Sequence, residues 1–274
     1  MVRAVARLSK IYWNPECYPK DFEGAEQGWL PAAVLFASTY AYERAGAAPA
    51  YRTIAARALQ TAGDGVARPD RAFAQRVWDR FEELARQAGV GVNPKRNPLN
   101  AAEAPGSIPL TRFIASLVDN DHNILTWSRT LIAADKAKDA LEHLQTIRGI
   151  GEKIASFFLR DVARQYQLQE TPGICFQPAD IWIKRVAEIW SAALGRKVRG
   201  YGPSAELFVE LADATGVRGS DLNAGAWVLG ARLADGDLHE LATSKDALQA
   251  RLWRHIRCHE AAAGVLRALV ADEG

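Results

Sequence analysis

Residues 141–153, LEHLQTIRGIGEK, run a helical pattern into Gly149-Ile150-Gly151 and restart one with a lysine two residues after the second glycine. Glycines this close together let the backbone take positive φ and approach a ligand, and amides opening the second helix then point at an anion. Lys153 on that helix puts an amine beside whatever phosphate the turn holds, an arrangement suited to nucleophilic attack next to a nucleic-acid backbone. Such a turn reads backbone charge and not base sequence. Downstream, Pro178-Ala179-Asp180 leads into a further helical pattern, and Asp180 has the type and position of an N-cap.

The elements that must position these residues read as helices throughout. Periodicity and caps predict helices over 30–45, 51–61, 70–87, 111–118, 123–134, 135–147, 152–167, 181–194, 203–215, 220–234 and 245–270, with no run of strand alternation. Gly89 has the place of a C′ glycine, and Thr243 with Asp246 has capping-box spacing before the last helix. In that helix Leu248, Leu252, Ile256 and Leu266 are expected on one buried face. The proline-rich break over 91–109 is expected to cross between two helical lobes, with Lys95 and Arg96 solvated. In a second break over 195–203, Arg196, Lys197 and Arg199 stand among glycines, where phosphate contact and solvated surface both fit.

Composition bounds the rest. A chain of 274 residues with 49% hydrophobic content has a real core. A net charge of +2 and a pI near 8.4 mean that any nucleic acid has to be met by a local patch. The longest apolar run, 31–42, is too short for a bilayer, and no leader pattern opens the chain, so a cytoplasmic location is expected. Cys17, Cys175 and Cys258 are odd in number and scattered, which argues against a disulfide scaffold, a zinc site or an iron–sulfur cluster and for small buried side chains. His255 and His259 flank Cys258 on one helix, but no second motif completes a metal site.

Gly149-Ile150-Gly151-Glu152-Lys153 resembles the helix-hairpin-helix DNA glycosylase superfamily, whose lysine-bearing members show Gly-aliphatic-Gly-x-Lys followed by an aspartate opening the next helix. Residues 178–186, PADIWIKRV, are similar to that second element, with a Pro-x-Asp entry and a basic-aliphatic continuation. The interval between Lys153 and Asp180 is lengthened by a polar stretch over 165–175, as in archaeal 8-oxoguanine glycosylases, and Trp182 stands where many relatives place a histidine. The resemblance implies an all-α fold of two helical lobes with a DNA-binding cleft between them. One lobe covers about 31–165 with the hairpin at 138–165, and the other about 1–30 plus 166–274. It further implies a monomer acting on duplex DNA that contains a modified base, and no cofactor beyond a monovalent cation, K⁺ or Na⁺, on carbonyls near Ile147 and Ile150.

The implied activity is base excision with abasic-site cleavage, 8-oxoguanine being the first substrate and a bulky, virus-type base the alternative. Positive charge that builds on the sugar is stabilised by a carboxylate, Asp180, while an amine, Lys153, captures C1′. Asp161 is a competing carboxylate, but its neighbours Arg160 and Arg164 favour a surface ion pair. Gly149, Ile150, Gly151, Arg148 and Lys184 are implied at the DNA backbone. For a flipped base, Trp227 and Asn223, with the small residues between them leaving room, and Gln27 are the pocket candidates. A packed core tryptophan fits Trp227 equally well, and a non-catalytic hairpin protein or a helical scaffold stays open as the function.

Overall fold

A computed structural model describes residues 1–18, 20–42, 48–102 and 105–258. The fold is all-α: among the described residues there is no strand, only an isolated bridge between Ile108 and Ile147. None of these helices is long and apolar enough to cross a membrane. The chain divides into two compact units, Lys20–Cys175 and Met1–Pro19 joined with Phe176–Gly274.

In the unit Lys20–Cys175, helices Trp29–Phe36, Ala48–Gly63, Arg71–Gln87, Leu110–Val118, Ile124–Ala133, Ala137–Gln145 and Glu152–Gln165 enclose a core that includes Phe36, Tyr40, Phe73, Phe81 and Phe158. Local chemistry sets several of the boundaries. Asp70 accepts the Phe73 amide at 2.6 Å, and Asn123 closes a reciprocal capping box with Thr126. Gly89 takes φ +66°; Asp135, expected to open a helix, takes φ 58° and the helix starts at Ala137, while Gln167, at φ 53°, lies past a helix that ends at Gln165 and not at 167 as the pattern suggests. The helix expected to continue to residue 45 changes at Ala37–Ala41 to a π turn.

The break over 91–109 does not cross between the units; it lies inside this one. Leu99 is fully buried, Tyr42 donates to Asn97 at 2.7 Å, Asn100 donates to the Pro94 carbonyl at 2.8 Å, and the Leu110 amide reaches Pro98 at 2.8 Å. Prolines interrupt the helical pattern here, yet the backbone they leave is bonded into the core.

In the other unit the helix Gly219–Val228 is buried on nearly every side and runs into a π turn, Leu229–Leu233. Its small residues let the N-terminal helices Val2–Arg7 and Ser9–Tyr12 close on it. A Cβ on Gly225 would stand 1.9 Å from the Val5 carbonyl oxygen. The room expected for a ligand between Asn223 and Trp227 is therefore filled, at Gly225, by protein backbone. Helices Ile181–Ala193, Tyr201–Thr215, Leu238–Thr243 and Lys245–Cys258 complete the unit. The last is capped by Ser244, whose hydroxyl accepts the Ala247 amide at 3.2 Å, and not by Thr243, which bonds back to His239. Leu248 and Leu252 are buried as the stripe requires. The side chains of His255, Ile256 and Cys258, and all of His259 and Leu266, lie outside the described residues.

Candidate active site

The hairpin is built from the backbone outward. The Ile150 amide closes on the Ile147 carbonyl at 3.0 Å, Gly149 takes φ +74°, and both isoleucines are buried beneath the turn. Gly151 is extended at φ −98° and ψ 179°, with open space where a Cβ would be. Of the two glycines, only the first is required by conformation. The amides of Gly151, Glu152 and Lys153 open a 14-residue helix and take no partner among the described residues. The Lys153 side chain is half-buried, and its amine makes no hydrogen bond or ion pair there.

Arg148 does not join this surface. It is only 6% exposed, its amide donates to the Ile108 carbonyl at 2.7 Å and its guanidinium to the Ala102 carbonyl, so it braces the hairpin from inside. The bridge to Ile108 turns the side chain inward, which sequence spacing cannot register.

Asp161 is likewise no surface residue. At 1% exposure it accepts from Lys20 Nζ at 2.6 Å and Tyr40 at 3.1 Å through one oxygen, and from Arg160 at 2.9 and 3.0 Å through the other. Arg160, one of the two expected partners, pairs with it, and a lysine from 141 residues away in the chain joins them. Burial works to raise the Asp161 carboxyl, but the charges and hydrogen bonds of Lys20 and Arg160 outweigh it and hold the group below its ordinary value. Burial lowers Lys20 from 10.5 to about 8, against the pull of Asp161. The half-buried ring of Phe157, one turn beyond Lys153, lies 4.8 Å from the Arg160 guanidinium and 5.2 Å from the Tyr40 ring. Lys20 shows no motif in the sequence, and tertiary structure alone pairs it.

In the unit containing residues 176–274, Asp180 is the N-cap expected. One oxygen accepts the Trp182 and Ile183 amides at 2.9 and 3.0 Å, and the other takes no bond among the described residues. Trp182 packs where a Cβ on Gly230 would come within 2.8 Å of it, and carries the Arg185 guanidinium at 5.1 Å from its ring. Lys184 is 3.7 Å from Glu188, and Arg196 is paired with Glu210 at 2.5 Å. Lys197 and Arg199 are exposed and without such partners among the described residues.

Trp227 is half-buried in an aromatic cluster, edge-on to Tyr12 at 5.8 Å and Tyr18 at 5.7 Å, with the Arg232 guanidinium over it at 5.8 Å. Asn223 is buried and donates to Gln177 Oε1 at 3.0 Å. Gln177, 3% exposed, leaves its Nε2 without a partner among the described residues; a lone glutamine in an irregular segment offers no pattern by which sequence could have found it. Gln27 belongs to the unit Lys20–Cys175 and is exposed there.

No group of three or more His, Cys, Asp or Glu able to hold a metal occurs among the described residues. Of the cysteines, Cys175 is buried and Cys17 is half-exposed. Comparison of the chain with protein-family models, with curated proteins and with solved structures finds no match to any.

Proposed function

We propose that this chain is a DNA N-glycosylase with an associated abasic-site lyase step, acting on a modified base in duplex DNA. The observation that carries the reading is the unengaged amine of Lys153, on the first turn of a helix whose opening amides are themselves unpartnered. Open amides at a helix N-terminus favour a phosphate, and an amine on that same turn can then meet the sugar. In its neutral form Nζ bonds to C1′ as the base leaves with the electrons of the glycosidic bond and takes up a proton. Opening of the sugar ring leaves a Schiff base, from which loss of a C2′ proton expels the 3′ phosphate. The free oxygen of Asp180 supplies negative charge against the positive charge that builds on the sugar. The resemblance favours an oxidised purine such as 8-oxoguanine as substrate, with a bulkier virus-type base as the alternative.

Borohydride added during turnover on a panel of duplexes, each bearing one modified base, should leave a permanent protein–DNA adduct that Lys153→Gln does not form. Asp180→Asn should keep the cap, because Asn caps as well as Asp, yet lose excision by about 10²- to 10³-fold, the scale of removing one transition-state electrostatic contact. An adduct that persists in Lys153→Gln moves the chemistry to another amine. Salt-dependent duplex binding with no abasic sites from any base would leave a non-catalytic hairpin protein.

A further inference from the structure

The unit Lys20–Cys175 carries a second feature besides the hairpin: a groove of about 1430 Å³ lined by the start of the helix Arg71–Gln87 and by the helix Leu110–Val118. Arg68, Arg71 and Arg76 line it from one side and Arg112 from the other, against the carboxylates Asp70 and Asp119. Asp70 is already committed to its cap on the Phe73 amide. The side chains of Arg68, Arg71 and Arg76 are exposed and make no hydrogen bond, ion pair or ring contact among the described residues. Several other arginines are paired off: Arg80 with Glu83, Arg129 with Glu26, Arg196 with Glu210, Arg251 with Asp235 and Asp237. Three unsatisfied guanidiniums on one groove, with carboxylates in the same wall, are left open to an outside anion.

The groove is braced to the hairpin. Ala102, in its lining, accepts the Arg148 guanidinium. Ile108, next to the lining Pro109, donates to the Thr146 carbonyl at 2.9 Å and accepts the Arg148 amide at 2.7 Å. Backbone hydrogen bonds therefore join the groove wall to the phosphate-binding turn within one packed unit. We infer that the groove takes successive phosphates of a DNA strand running on from the hairpin, an inference that rests on the DNA-binding reading above. Guanidinium forks match phosphate oxygens in pairs, and an open groove with arginines on both walls is larger than a single phosphate needs. It reads no bases, and supplies backbone affinity and register.

The test is duplex affinity measured against salt for the wild type, for the triple variant Arg68→Gln/Arg71→Gln/Arg76→Gln, and for Arg86→Gln at the far end of the same helix. Each phosphate that the protein no longer neutralises should reduce the slope of log affinity on log salt by about 0.9, so the triple variant should lose about 2.7 and Arg86→Gln nothing. These exposed changes should leave the melting temperature unmoved, which separates weakened DNA binding from impaired folding. A wild type that binds duplex and forms the borohydride adduct, with an unchanged slope in the triple variant, overturns the groove and leaves the glycosylase reading standing. Absence of both salt-dependent binding and adduct in the wild type overturns both. A triple variant that keeps its duplex slope but loses retention on polyglutamate gives the groove to an acidic protein chain and overturns the inference.

Discussion

Lys20 and Lys153 are two amines of one unit, and the helix Glu152–Gln165 touches both: it carries Lys153 on its first turn and, two turns on, Asp161 beneath Lys20. Burial lowers Lys20 to about 8, which raises its neutral, nucleophilic fraction at neutral pH. It is also the one already engaged, its nitrogen 2.6 Å from a buried carboxylate and its side chain 11% exposed. Lys153 is half-exposed, with its nitrogen unengaged among the described residues. Burial that lowers an amine's proton affinity also brings the counter-charge that stabilises the buried ion, and so removes the amine from chemistry. Access is what separates the two lysines.

The strongest way to break this comparison is to remove the counter-charge. Asp161→Ala should destabilise the protein by about 3–5 kcal/mol, because Lys20 and Arg160 are left buried and uncompensated. Denaturant melts measure it. The borohydride adduct should still form in whatever fraction stays folded, and its loss in a folded Asp161→Ala protein would mean that the cluster takes part in the chemistry.

Acid and alkali sharpen the same contrast. Asp161 is held below the ordinary 3.8, so its contribution to stability is full above that value and is lost as pH falls through its lower folded-state value, at up to about 1.4 kcal/mol per pH unit. Lys20 acts at the other end. Between about 8 and 10.5 the unfolded chain holds the Lys20 proton more tightly than the folded one, so its own contribution makes stability rise with pH across that window. Thermal melts across both ranges, wild type against Asp161→Asn, should show the acid-side loss in the wild type only.

The smallest effect separates the two glycines of the hairpin. Gly149→Ala, at φ +74°, should cost about 1–2 kcal/mol. Gly151→Ala, extended and with open space around it, should stay within about 0.5 kcal/mol. Equal losses would show that the second position also needs glycine.

The helices were legible wherever a local rule sufficed. Asp70, Asn123 and Asp180 are caps by residue type and cap in the structure, because an N-cap bond spans only two or three residues. Val2–Arg7, Ser9–Tyr12, Phe22–Glu26 and Leu238–Thr243 were not legible: four to six residues are too few to show a period, and such helices stand only by packing. The π turns at Ala37–Ala41 and Leu229–Leu233 also escaped, since their side-chain pattern is that of the α-helix they continue.

The candidate site divides along the same line. The turn at Gly149, the lysine just beyond it and the cap at Asp180 follow from residues within a few positions of one another, so the sequence by itself determined them. Which charges are buried was decided by tertiary structure alone. Lys20 meets Asp161 across 141 residues, Arg148 turns inward to Ala102, and the backbone of Val5 occupies the space at Gly225. Capping and periodicity act over about one helical turn, whereas burial depends on which distant segments the core brings together, and no local pattern encodes that.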